Sequence, residues 1–189
     1  MVAYPLKSET PFNFMYLIFL LITLVGKLPN EFGKLTSLLA LMLNGNQLFG
    51  DIPPDLGSLI NLEHMDLSSN RFDKSIPKNI GNLLKLNYFN MSNKKFGHDI
   101  PIKICNLAHF SKLDFSYNWL EGKILSQIGN LQSLEMLNIS DNNLFGFLPF
   151  ALEEMHGLSY VDISYNNLEG PLPNSKAFQH ASIEALQGN

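Results

Sequence analysis

The side chains best suited to act on another molecule recur at one spacing. Reading every 24th position gives Ala40, His64, Tyr88, Lys112, Met136 and Tyr160, and two positions further on stand Met42, Asp66, Asn90, Asp114, Asn138 and Asp162. Tyr117, Tyr165 and Trp119 flank asparagines of the same series. Imidazole, phenol, indole, ammonium and carboxylate groups on one surface suit non-covalent recognition, with rings supplying contact area and charged heads supplying direction. The candidate binding set is therefore His64, Asp66, Tyr88, Lys112, Asp114, Tyr117, Trp119, Tyr160 and Asp162. The recurrent Asp and Asn, with Ser68, Ser92, Ser116, Ser140 and Ser164, equally fit a structural use, orienting and solubilising a strand.

Covalent and metal chemistry find little support. Cys105 is the single cysteine, so the chain forms no internal disulfide and no cysteine-based metal site. His64, His98, His109, His156 and His180 are scattered, without an i, i+4 pair or a carboxylate at metal-ligand spacing. There is no glycine-rich phosphate loop, no GxSxG and no HExxH. Ser75 with Lys78 and Ser92 with Lys95 match Ser-x-x-Lys without its partner motifs. No catalytic residue, cofactor or metal is expected. A net charge of -4 without a basic cluster argues against nucleic acid. Asn90-Met91-Ser92 and Asn138-Ile139-Ser140 are glycosylation acceptors, and glycans there would cover part of the binding set.

What must position these residues is a repeat. Asn46, Asn70, Asn118, Asn142 and Asn166 are separated by multiples of 24, with Lys94 in the remaining slot. Around each runs the frame LxxLxxLxLxxNxLxGxIPxxLGx, exemplified by Leu35, Leu38, Leu41, Leu43, Asn46, Leu48, Gly50, Ile52, Pro53, Leu56 and Gly57. Six units follow, 35–58, 59–82, 83–106, 107–130, 131–154 and 155–178, with an N-terminal apolar segment 1–34 and a tail 179–189. The LxL step is a period-2 strand with two inward side chains. One unit buries too little to fold alone, so units must stack, pairing their strands in a parallel ladder. With 46% hydrophobic and 16% charged residues the chain can fill such a core. The asparagines belong inside the turns, where an amide satisfies backbone groups that no strand reaches. Lys94 interrupts that series, and Lys74 and His98 stand where other units have glycine, marking residues 72–98 as the weak segment.

The halves Leu48-Phe49-Gly50-Asp51-Ile52-Pro53 and Leu144-Phe145-Gly146-Phe147-Leu148-Pro149 resemble the plant-specific class of leucine-rich repeat. The resemblance covers about residues 26–189. It implies an α/β solenoid: a right-handed leucine-rich-repeat superhelix with a parallel strand ladder on the concave face. That class forms ectodomains of plant receptor-like kinases and receptor-like proteins. It implies a binding module in signalling or defence, at the extracellular face of the plasma membrane or in the cell wall. Its partners would be a peptide or protein ligand, or another repeat receptor or co-receptor. Similar plant proteins are secreted inhibitors of cell-wall-degrading enzymes, which is the rival reading; a truncated product without independent activity is a third. Asn167-Leu168-Glu169-Gly170-Pro171-Leu172-Pro173-Asn174, followed by Phe178 and the residues 184–189, resembles the last repeat of receptor-like kinases. In that family a cysteine-bearing cap, a membrane span and a kinase usually follow, so a fragment or truncated product is expected here.

Two readings fit the N-terminal segment. The twelve-residue apolar run 14–25 is short of the ~20 residues a membrane span needs and resembles the hydrophobic part of a signal peptide. Alternatively Phe14, Leu17, Phe19, Leu24, Gly26, Leu28 and Pro29 form a decayed repeat in the 24-residue phase, with Ile22 in the asparagine slot.

Overall fold

Successive side chains of an extended segment point to opposite faces, so each Leu-x-Leu step buries two residues and presents one outward. In the computed structural model, which describes residues 16–18, 23–92 and 95–189, this step becomes a three-residue strand. The strands in chain order are β1 (Tyr16–Ile18), β2 (Val25–Gly26), β3 (Ala40–Met42), β4 (Gln47–Gly50), β5 (His64–Asp66), β6 (Arg71–Phe72) and β7 (Tyr88–Asn90). They continue with β8 (Gly97–Asp99), β9 (Lys112–Asp114), β10 (Trp119–Gly122), β11 (Met136–Asn138), β12 (Asn143–Phe147), β13 (Tyr160–Asp162) and β14 (Asn167–Glu169).

Odd-numbered strands form one seven-stranded sheet in the order β1-β3-β5-β7-β9-β11-β13, parallel throughout. Its register equals the repeat, as in Leu41 opposite Met65 and Leu137 opposite Val161. The N-terminal strand follows the same register, with Leu17 opposite Leu41, while Phe14, Phe19 and Ile22 lie outside the described residues. Even-numbered strands build a second parallel ladder in two pieces, β2-β4-β6 and β8-β10-β12-β14. There, partners are separated by 22 residues, as in Trp119 opposite Gly97 and Phe145 opposite Asn167. The return side of each unit is a 3₁₀ turn, such as Pro54–Ser58 or Ser126–Asn130; the one α-helix among the described residues is α1 (Lys176–His180). These turns stack closely, since a Cβ on Gly57 would collide with the carbonyl oxygen of Asn79.

A single apolar core runs through the stack from Leu24 to Phe178. Its middle is aromatic: Phe72, Phe89, Phe96, Phe110 and Phe115 are fully buried, and Phe89 meets Phe115 edge-on at 5.3 Å between ring centres.

The asparagines bind successive units together. Asn70 Nδ2 donates to the carbonyls of Leu67 and Ser68 in its own turn and to Leu43 in the preceding unit, and its Oδ1 accepts the N–H of Leu48 at 3.0 Å. Asn118, Asn142 and Asn166 repeat this pattern, bonding back to Met91, Phe115 and Ile139. Asn46 does the same within its own turn and accepts the N–H of Leu24. Lys94 lies outside the described residues. The residue preceding each asparagine is left-handed, with φ of 71° at Gly45, 52° at Ser69, 54° at Tyr117, 53° at Asp141 and 52° at Tyr165.

That signature recurs at the C-terminus, in residues set apart above as a tail. Gly188 has φ 79°, and Asn189 accepts the N–H of Leu168 and donates to Ile163 and Leu186. Ile163 and Tyr165 donate main-chain N–H groups to Ala185 and Gln187, as Ile139 and Asp141 do to Asp162 and Ser164.

The side ladder breaks between β6 and β8, within the segment where Lys74 and His98 replace glycine. Gly50, Gly122, Gly146 and Gly170 turn the strand outward at φ 79–86°. His98 is forced to φ 64° in that slot, while Lys74 keeps a negative φ and β6 stops after two residues. Stacked rings of Phe72 and Phe96, 6.2 Å apart, bridge the gap.

Two stability measurements follow. Asn118→Ala orphans buried backbone groups in two adjacent units and is expected to cost about 2–4 kcal/mol in urea unfolding. Asn167→Ala, which removes only an exposed bond to Asn143, stays within about 0.5 kcal/mol. Equal effects would contradict the bridging role. His98→Gly relieves a left-handed histidine and is expected to stabilise by about 1 kcal/mol, whereas Lys74→Gly destabilises by about 0.5–1 kcal/mol.

Candidate binding face

The seven-stranded sheet lays out the outward residues in columns. Backbone pairing places His64 beside Tyr88, Tyr88 beside Lys112, Lys112 beside Met136 and Met136 beside Tyr160. Adjacent strands lie ~4.8 Å apart, so these side chains present one continuous stripe. His64, Lys112 and Tyr160 are exposed and Tyr88 is half-buried. The rings of His64 and Tyr88 are 6.3 Å apart. The Tyr88 hydroxyl donates to Asp66 and accepts from Asn90, which fixes its ring within the sheet. Burial, then the Asp66 carboxylate, raises the Tyr88 phenol above its usual range; burial, then Asp162, does the same for Tyr160. Both are neutral donors near pH 7.

The next column is turned to a different task. Asp66, Asn90, Asp114, Asn138 and Asp162 each accept the N–H of the serine two residues on, at 2.8 to 3.1 Å. Ser116, Ser140 and Ser164 add their hydroxyls. Each strand end is thus closed by a side chain that mimics a turn. Asp66 is buried, while Asp114 and Asp162 keep one oxygen outside this bond. The acceptor-motif asparagines Asn90 and Asn138 commit their carbonyl oxygens to the same turns.

Tyr117 and Tyr165 occupy the left-handed turn positions and are more than half exposed. Trp119 begins β10, on the side ladder, with the Lys95 ammonium 5.4 Å from its ring centre. The structure thus brings Tyr117, Tyr160, Asp162 and Tyr165 together in one depression of about 600 Å³ at the C-terminal end of the stripe. His64 lines a second, of about 540 Å³, with Glu63, Lys85, Asn87 and His109. Asp141, His180, Glu184 and Gln187 complete the first depression and were missed in the sequence, although Leu186-x-x-Asn189 repeats the spacing of Ile163-x-x-Asn166. Asp141 is held above the usual carboxylate range by partial burial and then by Asp162.

The Cys105 thiol is buried and pushed up by that burial, which keeps it protonated and unreactive. Among the described residues no three His, Cys, Asp or Glu side chains converge on a metal position, and no helix is long and apolar enough to cross a membrane. The arrangement offers shape, rings and hydrogen bonds for recognition.

Carboxyl titration followed by NMR provides a check on this electrostatic layout. Asp162→Asn, which removes the neighbouring charge, is expected to lower the midpoint of Asp141; an unchanged midpoint would contradict the coupling.

Comparison with known proteins agrees with this architecture. The family model described as Leucine Rich Repeat matches residues 37–59, 61–83, 109–131, 133–155 and 157–176. The interval passed over contains Lys94 and His98. A search among curated proteins finds no match. Among solved structures, the ectodomain of the plant membrane receptor kinase GASSHO1/SCHENGEN3 from Arabidopsis thaliana, in complex with CASPARIAN STRIP INTEGRITY FACTOR 2, is 33% identical with a TM-score of 0.80. The match covers 82% of this chain and 18% of that one. The plant peptide hormone receptor RGFR1, in complex with RGF2, is 32% identical with a TM-score of 0.78, over 81% of this chain and 25% of that one. A plant ice-binding protein is 29% identical with a TM-score of 0.76, over 80% and 51% respectively. The chain therefore spans a quarter or less of the two receptor chains. With its family model matched over more than half of its length and the strands of its seven-stranded sheet stacked in unbroken 24-residue register, the chain belongs to the leucine-rich-repeat family.

Proposed function

We propose that this chain is a peptide- or protein-recognition module, the extracellular recognition part of a plant receptor-like kinase or receptor-like protein acting in signalling or defence. The observation that carries the reading is the division of labour on the seven-stranded sheet. The column Asp66 to Asp162 closes turns, while the column containing His64, Tyr88, Lys112 and Tyr160 varies in chemistry and faces outward. A structural column has reason to stay uniform; a recognition column has reason to differ from unit to unit. Similarity to receptors solved with their ligands supports the same use of the scaffold. Lys112 and His64 supply direction for an anionic or polar ligand group, and Tyr88 and Tyr160 supply contact area. Asp114 and Asp162 contribute carboxylate oxygens, and Trp119 extends the surface onto the side ladder. Glycans on Asn90 or Asn138 would project from the same sheet, so occupancy of those positions and access to the middle of the stripe exclude one another. A co-receptor, a further repeat protein, is the second class of partner this reading implies.

The test is a screen of the full chain, secreted from plant cells, against a synthetic library of plant apoplastic peptides. Peptides that bind are expected to lose at least tenfold in affinity on His64→Ala combined with Lys112→Ala. Phe150→Ala, an exposed substitution in a 3₁₀ turn, is expected to leave binding unchanged. Binding indifferent to the stripe, or lost equally with Phe150→Ala, would overturn the proposal.

A further inference from the structure

The depression at the C-terminal end of the stripe has a composition unlike the rest of the sheet. Tyr117, Tyr160 and Tyr165 stand around it, each exposing about half of its surface. Tyr165 is braced by Gln187, whose Nε2 donates to its hydroxyl at 2.8 Å. The Tyr165 ring is therefore held as a wall, and the C-terminal segment lines the depression with His180, Ser182 and Glu184. Asp141 and Asp162 line the same depression. Asp162 lines the depression, where its carboxylate accepts from Ser164 and from the Tyr160 hydroxyl. The two carboxylates are close enough that Asp162 disfavours ionisation of Asp141. No lysine or arginine lines the cavity among the described residues, and His180 is its one basic side chain.

Aromatic faces attract cations through the ring quadrupole, and carboxylates add charge-assisted hydrogen bonds. A guanidinium satisfies both at once, because it is planar, stacks on rings and donates in a fork. The like charges on its walls exclude an anionic ligand group, and the hydroxyls and carboxylates disfavour an aliphatic one. We infer that this tyrosine-walled cavity is a subsite for an arginine side chain of a bound peptide. The inference rests on the concave-face reading above and gives that ligand a polarity: a basic residue over Tyr160, with groups suited to His64 and Lys112 lying toward the N-terminal strands.

The first probe is N-acetyl-arginine methylamide, with the isosteric but uncharged N-acetyl-citrulline methylamide as control, titrated into the full chain with NMR detection of the tyrosine rings. Binding in the millimolar range is expected for the arginine compound, with shifts at Tyr117, Tyr160 and Tyr165, and at least tenfold weaker binding for citrulline. The variant Asp141→Asn/Asp162→Asn is expected to weaken the arginine probe at least tenfold. Its fold is safe on the protein's own precedent, since Asn138 closes its turn as Asp162 does, and asparagine tolerates the left-handed φ of position 141. Failure of the arginine compound to bind, equal binding of both compounds, or binding that survives the double substitution would overturn the subsite. If stripe-dependent peptides still bind in that event, the subsite fails and the recognition function stands. If no peptide depends on the stripe, that function fails separately.

Discussion

At Asn46, Asn70, Asn118, Asn142 and Asn166 one side-chain amide ties a unit of this solenoid to the one before it. An asparagine side chain has two donors and an accepting oxygen, and here they satisfy the tip of its own turn and the open backbone groups of its neighbour. No apolar residue in that slot can do this, and an unmade buried hydrogen bond costs as much as several good contacts bring. The apolar residues supply the driving force for stacking, but they are interchangeable; leucine, phenylalanine and methionine all fill core positions. The asparagine sets the pitch. It also imposes the left-handed residue before it, which is glycine in two turns and a strained serine, tyrosine or aspartate in the others.

That constraint explains where the protein is free to carry function. Inward positions are spent on the core, the turn closures consume one outward column and the serines beside it, and the close-stacked 3₁₀ turns require small residues. What remains is the first outward column and the left-handed turn residues. Tyr117 and Tyr165 are therefore informative, because tyrosine is an unfavourable choice at φ near 53° and a glycine would relieve the strain. Both stand around the same depression as Tyr160, where the proposed subsite would put them to use.

Much of this was legible in the sequence because a fixed period projects directly onto a stacked fold. The 24-residue spacing of the asparagines located the strand ladder and the outward columns, since register in a parallel stack equals the repeat length. The second ladder was not legible, because its strands are offset by two residues from the period and present no alternating apolar pattern of their own. Trp119 accordingly seemed part of the stripe and lies on the side ladder. Asn189 was hidden by a coil one residue shorter than the repeat, and with it the residues that close the C-terminal depression. The aspartates carried an ambiguous signal: a carboxylate at the end of a strand reads alike whether it faces a ligand or caps a turn, and only geometry separated the two uses.

The claim on which the functional account turns is that recognition occurs on the outer face of the seven-stranded sheet. The most direct measurement is a photo-cross-linking map of a bound library peptide carrying a diazirine at each position in turn, read by mass spectrometry. The account predicts adducts along β5, β7, β9, β11 and β13, ordered along the peptide as the strands are ordered in the sheet. Adducts concentrated on the side ladder or the 3₁₀ turns, at residues such as Phe49, Phe145 or Phe150, would contradict it.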